Sequence, residues 1–178
     1  GAVKKSARAA DFELAIQWLI DAGLAYKVQR VNAPRLPFKF YEDLNAFKLF
    51  MLDVGLMGAM AETSAESMLV GDNVFSEYKG AFTELFVFTQ LKSRHFSPYY
   101  HAVENSTIEI DFLTQWHDRV IPIEVKAEVN VKAKSLHTFI NNNPELQGLR
   151  FSMLPYKKQD WVINVPLYAC LVPFDYYR

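Results

Sequence analysis

IEIDFLTQWHDRVIPIEVK, residues 108 to 126, decides the fold. Apolar residues alternate in both halves: Ile108, Ile110 and Phe112 share one strand face, and Ile121, Ile123 and Val125 share one face of a second strand. If the chain reverses through His117 and Asp118, the numbers of opposed residues sum to 235 and the two apolar sets meet on one side. That register sets Asp111 opposite Glu124 and Glu109 opposite Lys126. Opposed Cβ atoms lie about 4.5 to 5.5 Å apart, so facing carboxylates require a proton or a cation between them. His-Asp is not a favoured two-residue turn, and a longer loop would shift the register by two residues. The acids then become diagonal but keep a common face.

Lys126 follows Glu124 by two residues, so its ammonium emerges on the face of the acids. The set Asp111, then Glu124-Val125-Lys126, resembles the signature of the PD-(D/E)xK nuclease superfamily, which cuts phosphodiesters with acid-held Mg²⁺ and a lysine. The competing reading is a solvated hairpin face carrying a Glu109 to Lys126 cross-strand pair.

The remaining chain bounds the possibilities. Its 178 residues suffice for one sizeable domain or two small ones, and 51% are hydrophobic. With 19 basic and 20 acidic residues the net charge is −1, so any attraction to nucleic acid or anionic membrane must be local. A single cysteine, Cys170, in an apolar run excludes an intramolecular disulfide framework and suits a cytoplasmic protein with a buried thiol. No apolar stretch reaches transmembrane length and no secretory signal opens the sequence. The start at Gly1, without Met and with helical residues almost at once, reads as a piece excised from a longer protein.

Residues 9 to 22 place Phe12, Ile16, Leu19 and Ile20 on one helical stripe, with Gly23 as the left-handed stop. Leu24 to Val31 alternates as a strand, and NAPRLP then breaks the chain. A helix followed by a short wing is a winged-helix-like ending, with a small helical lid as the simpler alternative. Arg30, Arg35 and Lys39 could touch phosphates from it, though three scattered cations favour the lid. NAFKLFMLDVGLMGAMAE, residues 45 to 62, reads as a strand entering a short helix with Asp53 as its N-cap and Met51, Leu56, Met57 and Met60 as core filler.

Taken in order, that ending, KLFMLDVGL, KGAFTELFVFTQL, EIDFL, IPIEVKA and VPLYACL resemble the C-terminal region of a prokaryotic AAA-type ATPase family. In that family a P-loop ATPase module precedes a winged helix and a nuclease-like domain of uncertain function. The resemblance spans roughly residues 8 to 172. This sequence contains no G-x-x-x-x-G-K-[ST] loop, so nucleotide hydrolysis would belong to an N-terminal module outside it.

Tyr78 to Leu91 supports the nuclease comparison independently. Between Ala81 and Phe88 only Thr83 and Glu84 are polar, and Glu84 shares a helix face with Ala81, Phe88 and Leu91. An inward glutamate needs either a core lysine or arginine, or a place in the pocket of the hairpin acids. The matching nucleases often carry a glutamate on the helix before the first core strand, and Glu84 fits that place. Downstream, SPYYHAVE reads as an edge strand, KSLHTFINNNP as a helix ending before Pro144, and LRFSMLP and WVINVPLYACL as the closing strands. Lys132, Lys134 and His137 begin that helix, where phosphate could approach. Tyr99, Tyr100 and His101 read as packing groups, since no cations accompany them.

The expected fold is α/β: a restriction-endonuclease-like αβββαβ core with a mixed sheet at residues 41 to 178, after a winged-helix-like segment and linker at 1 to 40. The expected site comprises Glu84, Asp111, Glu124 and Lys126. Asp111 and Glu124 would hold Mg²⁺ or Mn²⁺, aided by Glu84 and the Val125 carbonyl, while Lys126 orients water or offsets charge at phosphorus. The substrate would be nucleic acid, DNA before RNA. The alternative is a non-catalytic scaffold that binds DNA, a partner protein or a second copy of itself.

Overall fold

The computed structural model describes residues 12 to 63, 73 to 103, 106, 108 to 128 and 133 to 170. Four helices flank one eight-stranded mixed sheet. Helix α1 (Glu13–Asp21) ends as its glycine requires: Gly23 adopts φ +71°, and its amide and that of Leu24 bond to the carbonyls of Ile20 and Leu19. The chain then enters β1 (Ala25–Val31), turns through Phe38–Tyr41, and returns antiparallel as β2 (Glu42–Met51). Asp53 caps α2 (Val54–Met60) by accepting from the Leu56 amide at 2.8 Å, the role its position implied.

Helix α3 (Asn73–Ser93) is followed by the antiparallel meander β3 (Tyr99–Ala102), β4 (Glu109–Trp116) and β5 (Arg119–Val125). Helix α4 (Lys134–Asn142) crosses over to β6 (Gly148–Ser152), which runs parallel to β5. Short β7 (Lys157–Lys158) and β8 (Val162–Pro166) complete the sheet, in the order β2-β1-β3-β4-β5-β6-β8-β7. From α3 to β6 the succession is α, three strands, α, strand.

Both sheet faces are covered, so the strands are apolar on both sides. On one face α3 lays Leu85, Phe88 and Leu91 against Val28, Phe50, Phe112, Ile123 and Phe151. Phe88 stacks on Phe50 with centroids 4.4 Å apart. On the other face α4 lays Leu136, Phe139 and Ile140 against Ile110, Leu113 and Val162. A side chain at Gly148 would put its Cβ 2.9 Å from Leu136, so glycine is what lets α4 sit this close to β6.

Four expectations change. Strand β3 lies inside the sheet between β1 and β4, not at an edge, because β1 reaches across to pair with it at Arg30 and Tyr100. The same pairing draws the segment expected to form a wing into the large sheet. Ile110 and Phe112 do not share a face: they enter opposite clusters. The stretch VPLYACL leaves the sheet at Pro166 and turns through Leu167–Ala169, which relieves it of ladder pairing. Lys132 lies outside the described residues.

Candidate functional site

The hairpin has the register with paired numbers summing to 235, from Trp116 with Arg119 to Phe112 with Ile123. Its reversal is the tight two-residue one. His117 supplies the left-handed residue, with φ 52°, and its carbonyl accepts from the Gln115 amide group at 2.7 Å.

Beyond Phe112 the ladder changes. Tyr99 pairs with Leu113 and His101 with Ile110, so the single residue Tyr100 stands against two residues, Asp111 and Phe112. This is a β-bulge, and it explains why Ile110 and Phe112 part company. The Val125 amide, which a continued ladder would give to a β4 carbonyl, is donated to the Asp111 Oδ2 at 2.7 Å. The Asp111 carboxyl is thereby held against the last rung of β5.

Glu124 and Lys126 flank that rung. The Glu124 side chain is buried, its Oε1 lies 2.5 Å from the Lys126 Nζ, and its Oε2 is buried with no hydrogen-bond partner among the described residues. Lys126 is partly exposed, and its backbone amide is tied to the Phe151 carbonyl of β6 at 2.9 Å. Burial, helped by the charges of Glu124 and Glu84, pushes the Asp111 carboxyl up from 3.8 to about 7, against the opposing pull of the Val125 amide and Lys48. A carboxyl poised there exchanges its proton near neutrality.

Glu84 lies near enough for its charge to reach Asp111, but its direct partner is the Lys48 ammonium of β2, at 3.0 Å. The same ammonium meets Glu109 at 2.5 Å and lies 5.2 Å from the centre of the Tyr100 ring. Burial lowers the Lys48 pKa, yet the two carboxylates outweigh it and the net shift is upward. The core lysine allowed for Glu84 is therefore present. The cross-strand Glu109 to Lys126 pair is not: each residue has taken a different partner, because the bulge and the bond to Val125 end the regular ladder first.

Two cations escaped the sequence reading. Lys48 interrupts an apolar run, FKLF, at a position paired with buried Val28. Arg150, buried between Leu149 and Phe151, stands beside Glu124 in the β5 to β6 register and donates from Nε to the Asn164 Oδ1 at 2.9 Å. Burial lowers its pKa, and the Glu124 charge works the other way. A charged residue at a core-facing strand position was the available signal in both cases.

Of the secondary candidates, the aromatic group at residues 99 to 101 packs, and most of the cations stay exposed. Tyr99 donates its hydroxyl to Glu42 at 2.9 Å, Tyr100 enters the core, and the His101 ring nitrogen lies 2.8 Å from the Val31 carbonyl. Arg30 is ion-paired to Asp43, whereas Arg35, Lys39 and Lys134 are exposed, and exposed His137 meets Trp161 edge-on. A cavity of about 750 Å³ opens by the turn among Arg35, Tyr41, Trp116 and Arg119, and neither Asp111 nor Glu124 lines it.

All the ligand atoms on offer at the hairpin's open end are hard oxygens, and one buried oxygen has no partner; that donor chemistry fits Mg²⁺ or Mn²⁺. Among the described residues no three acidic, histidine or cysteine side chains converge into a metal cage. A divalent ion would rest on Asp111 and Glu124 and keep several waters, as Mg²⁺ commonly does.

Fold and site together define a mixed α/β domain with a carboxylate pair and a lysine where a bulged hairpin opens. Residues 79 to 169, just over half of the chain, match a domain of unknown function (DUF4143), and the chain belongs to that family. Residues 1 to 67 match a second domain of unknown function (DUF8612). No curated protein and no solved structure matches the chain.

Proposed function

We propose that this protein is a nuclease-like domain of the restriction-endonuclease-like kind, with Asp111, Glu124 and Lys126 forming a divalent-cation site for phosphodiester hydrolysis. The observation that carries the reading is the buried Glu124 carboxylate, whose one oxygen meets Lys126 and whose other has no partner among the described residues, within reach of the Asp111 charge. A buried carboxylate oxygen left bare costs on the order of 1–3 kcal/mol or more, and a cation offsets that cost. The order α3, β3-β4-β5, α4, β6 agrees with the expected core, and motif order supports an ATPase parent whose P-loop module precedes this region.

When bound, Mg²⁺ would polarise the phosphate and acidify a coordinated water. The chain's own residues then have distinct roles. Asp111, fixed by the Val125 amide, binds as a carboxylate once its proton leaves. Lys126, half in solvent and paired to Glu124, presents a positive charge where negative charge would grow on phosphorus.

Single-stranded and duplex DNA and RNA, incubated with Mg²⁺ or Mn²⁺, test the reading. Wild type should cut slowly, and Lys126→Ala should lose about 100-fold or more. Lys126→Ala should also carry a modest stability cost, about 1–3 kcal/mol, because the buried Glu124 loses its partner. Equal inertness of both proteins across metals and substrates favours the second reading, a binding scaffold. One observation speaks for the scaffold: Lys48 already neutralises Glu84 and Glu109. On either reading calorimetry should find no ATP binding to this chain, since it has no phosphate loop.

A further inference from the structure

Lys48 belongs to the segment matched at residues 1 to 67, yet its ammonium ends among acids of the segment matched at 79 to 169. From β2, which β1 and β3 separate from β4, it lies by the Tyr100 ring and contacts Glu84 on α3 and Glu109 on β4. Its strand position is fixed by the pairing of Lys48 with Val28, which makes the side chain face α3. One ammonium thus spans two carboxylates beside Asp111. We propose that Lys48 is the resident counter-ion of Glu84 and Glu109, removing both from metal ligation and restricting any divalent ion to the Asp111 and Glu124 carboxylates.

The inference deepens the proposed hydrolytic site and rests on it for the Asp111 and Glu124 ion. Its physical basis is competition. A lysine ammonium held by two carboxylates supplies a single positive charge without shedding a hydration shell of divalent strength, and the chain delivers it at no entropy of association. Glu84 released from Lys48 would be an unpaired carboxylate on the helix that packs over β4 and β5, free to turn toward the ion as a third ligand. Lys48 therefore sets how many carboxylates the metal sees. It is a positioning residue, acting through Glu84 and Glu109.

The experiment is a Mn²⁺ titration followed by the electron paramagnetic resonance signal of free Mn²⁺, on wild type, Lys48→Met, Lys48→Arg and Glu84→Gln, each checked for fold by circular dichroism. Lys48 is only partly buried, so the Met variant is expected to fold. Wild type should bind one ion. Lys48→Met should bind Mn²⁺ about 10- to 100-fold more tightly or take a second ion, Lys48→Arg should match wild type, and Glu84→Gln should bind as wild type does. One wild-type ion with unchanged affinity and number in Lys48→Met overturns the proposal alone. A tenfold loss in Glu84→Gln overturns it as well, and remains decisive if the Met variant does not fold. An ion bound by Lys48→Met but not by wild type supports the counter-ion role and overturns the hydrolytic reading. No binding by either protein overturns both.

Discussion

The two ends of the β4 and β5 hairpin are made of the same strands and behave differently. At the turn end, Trp116 to Arg119 follows a regular ladder, and His117 absorbs the reversal in a single left-handed residue. At the other end, a bulge at Asp111 and Phe112 breaks the alternation, a carboxyl replaces a backbone acceptor, and a buried oxygen of the Glu124 carboxylate has no partner among the described residues. The contrast separates the part of the hairpin that regular strand pairing accounts for from the part where an acid side chain has taken over a backbone bond. Local rules tend to fail where a protein keeps a function, and here they fail within two residues of both acids.

The largest expected effect sharpens that division on its structural side. Leu113→Ala, in the regular part of β4 and fully buried, should cost about 2–5 kcal/mol in denaturant unfolding and leave Mn²⁺ affinity unchanged. A loss of metal binding at a melting midpoint still above the assay temperature would show that the two ends are not separable.

The second effect has the opposite sign. In the folded chain Asp111 keeps its proton up to about pH 7, whereas an unfolded aspartate releases it near 3.8. The folded state therefore binds the proton over a window where the unfolded chain does not. The site's contribution is complete below pH 4, falls as pH rises from 4 to 7, and is lost above that. Asp111→Asn keeps an acceptor for Val125 and has no proton to lose, so the metal-free variant should exceed wild type at pH 8 by on the order of 2–4 kcal/mol and differ little at pH 4. Urea unfolding at the two pH values decides it; equal stability at both removes the case for a strained carboxyl.

The regular end of the hairpin is legible in the sequence. The register followed from a reversal through His117 and Asp118, which brings Phe112 and Ile123 to one face as the alternation in the two halves requires. Gly23 and Asp53 announced their helix ends by side-chain chemistry that acts within one turn. The bulge was not legible, since it is set by how β3 meets β4 and nothing within EIDFL marks it. The role of Lys48 is not legible for a related reason: its partners are 36 and 61 residues away in sequence, and the strand pattern that contains it speaks only of its own neighbours. Glu84 could be placed on an inward helix face, but which of two cations would satisfy it depended on that distant strand.

A smaller effect is mass action. Mn²⁺ at ten times its dissociation constant should stabilise wild type by about 1.4 kcal/mol at neutral pH, and Asp111→Asn should respond less. Smallest of all, His117→Gly at the turn should change stability by no more than about 1 kcal/mol, as glycine accepts the positive φ but costs chain entropy, and metal affinity should not move. A change in metal affinity there would mean that the turn and the acids act as one unit.

On the proposed function, the open end of the hairpin holds a divalent ion between Asp111 and Glu124. Crystals soaked in millimolar Mn²⁺ and measured for anomalous scattering address it without substrate. An anomalous peak between the Asp111 carboxylate and the Glu124 Oε2 is the expected result. Absence of that peak from crystals in which a Mn²⁺-binding control protein is saturated under the same soak would contradict it.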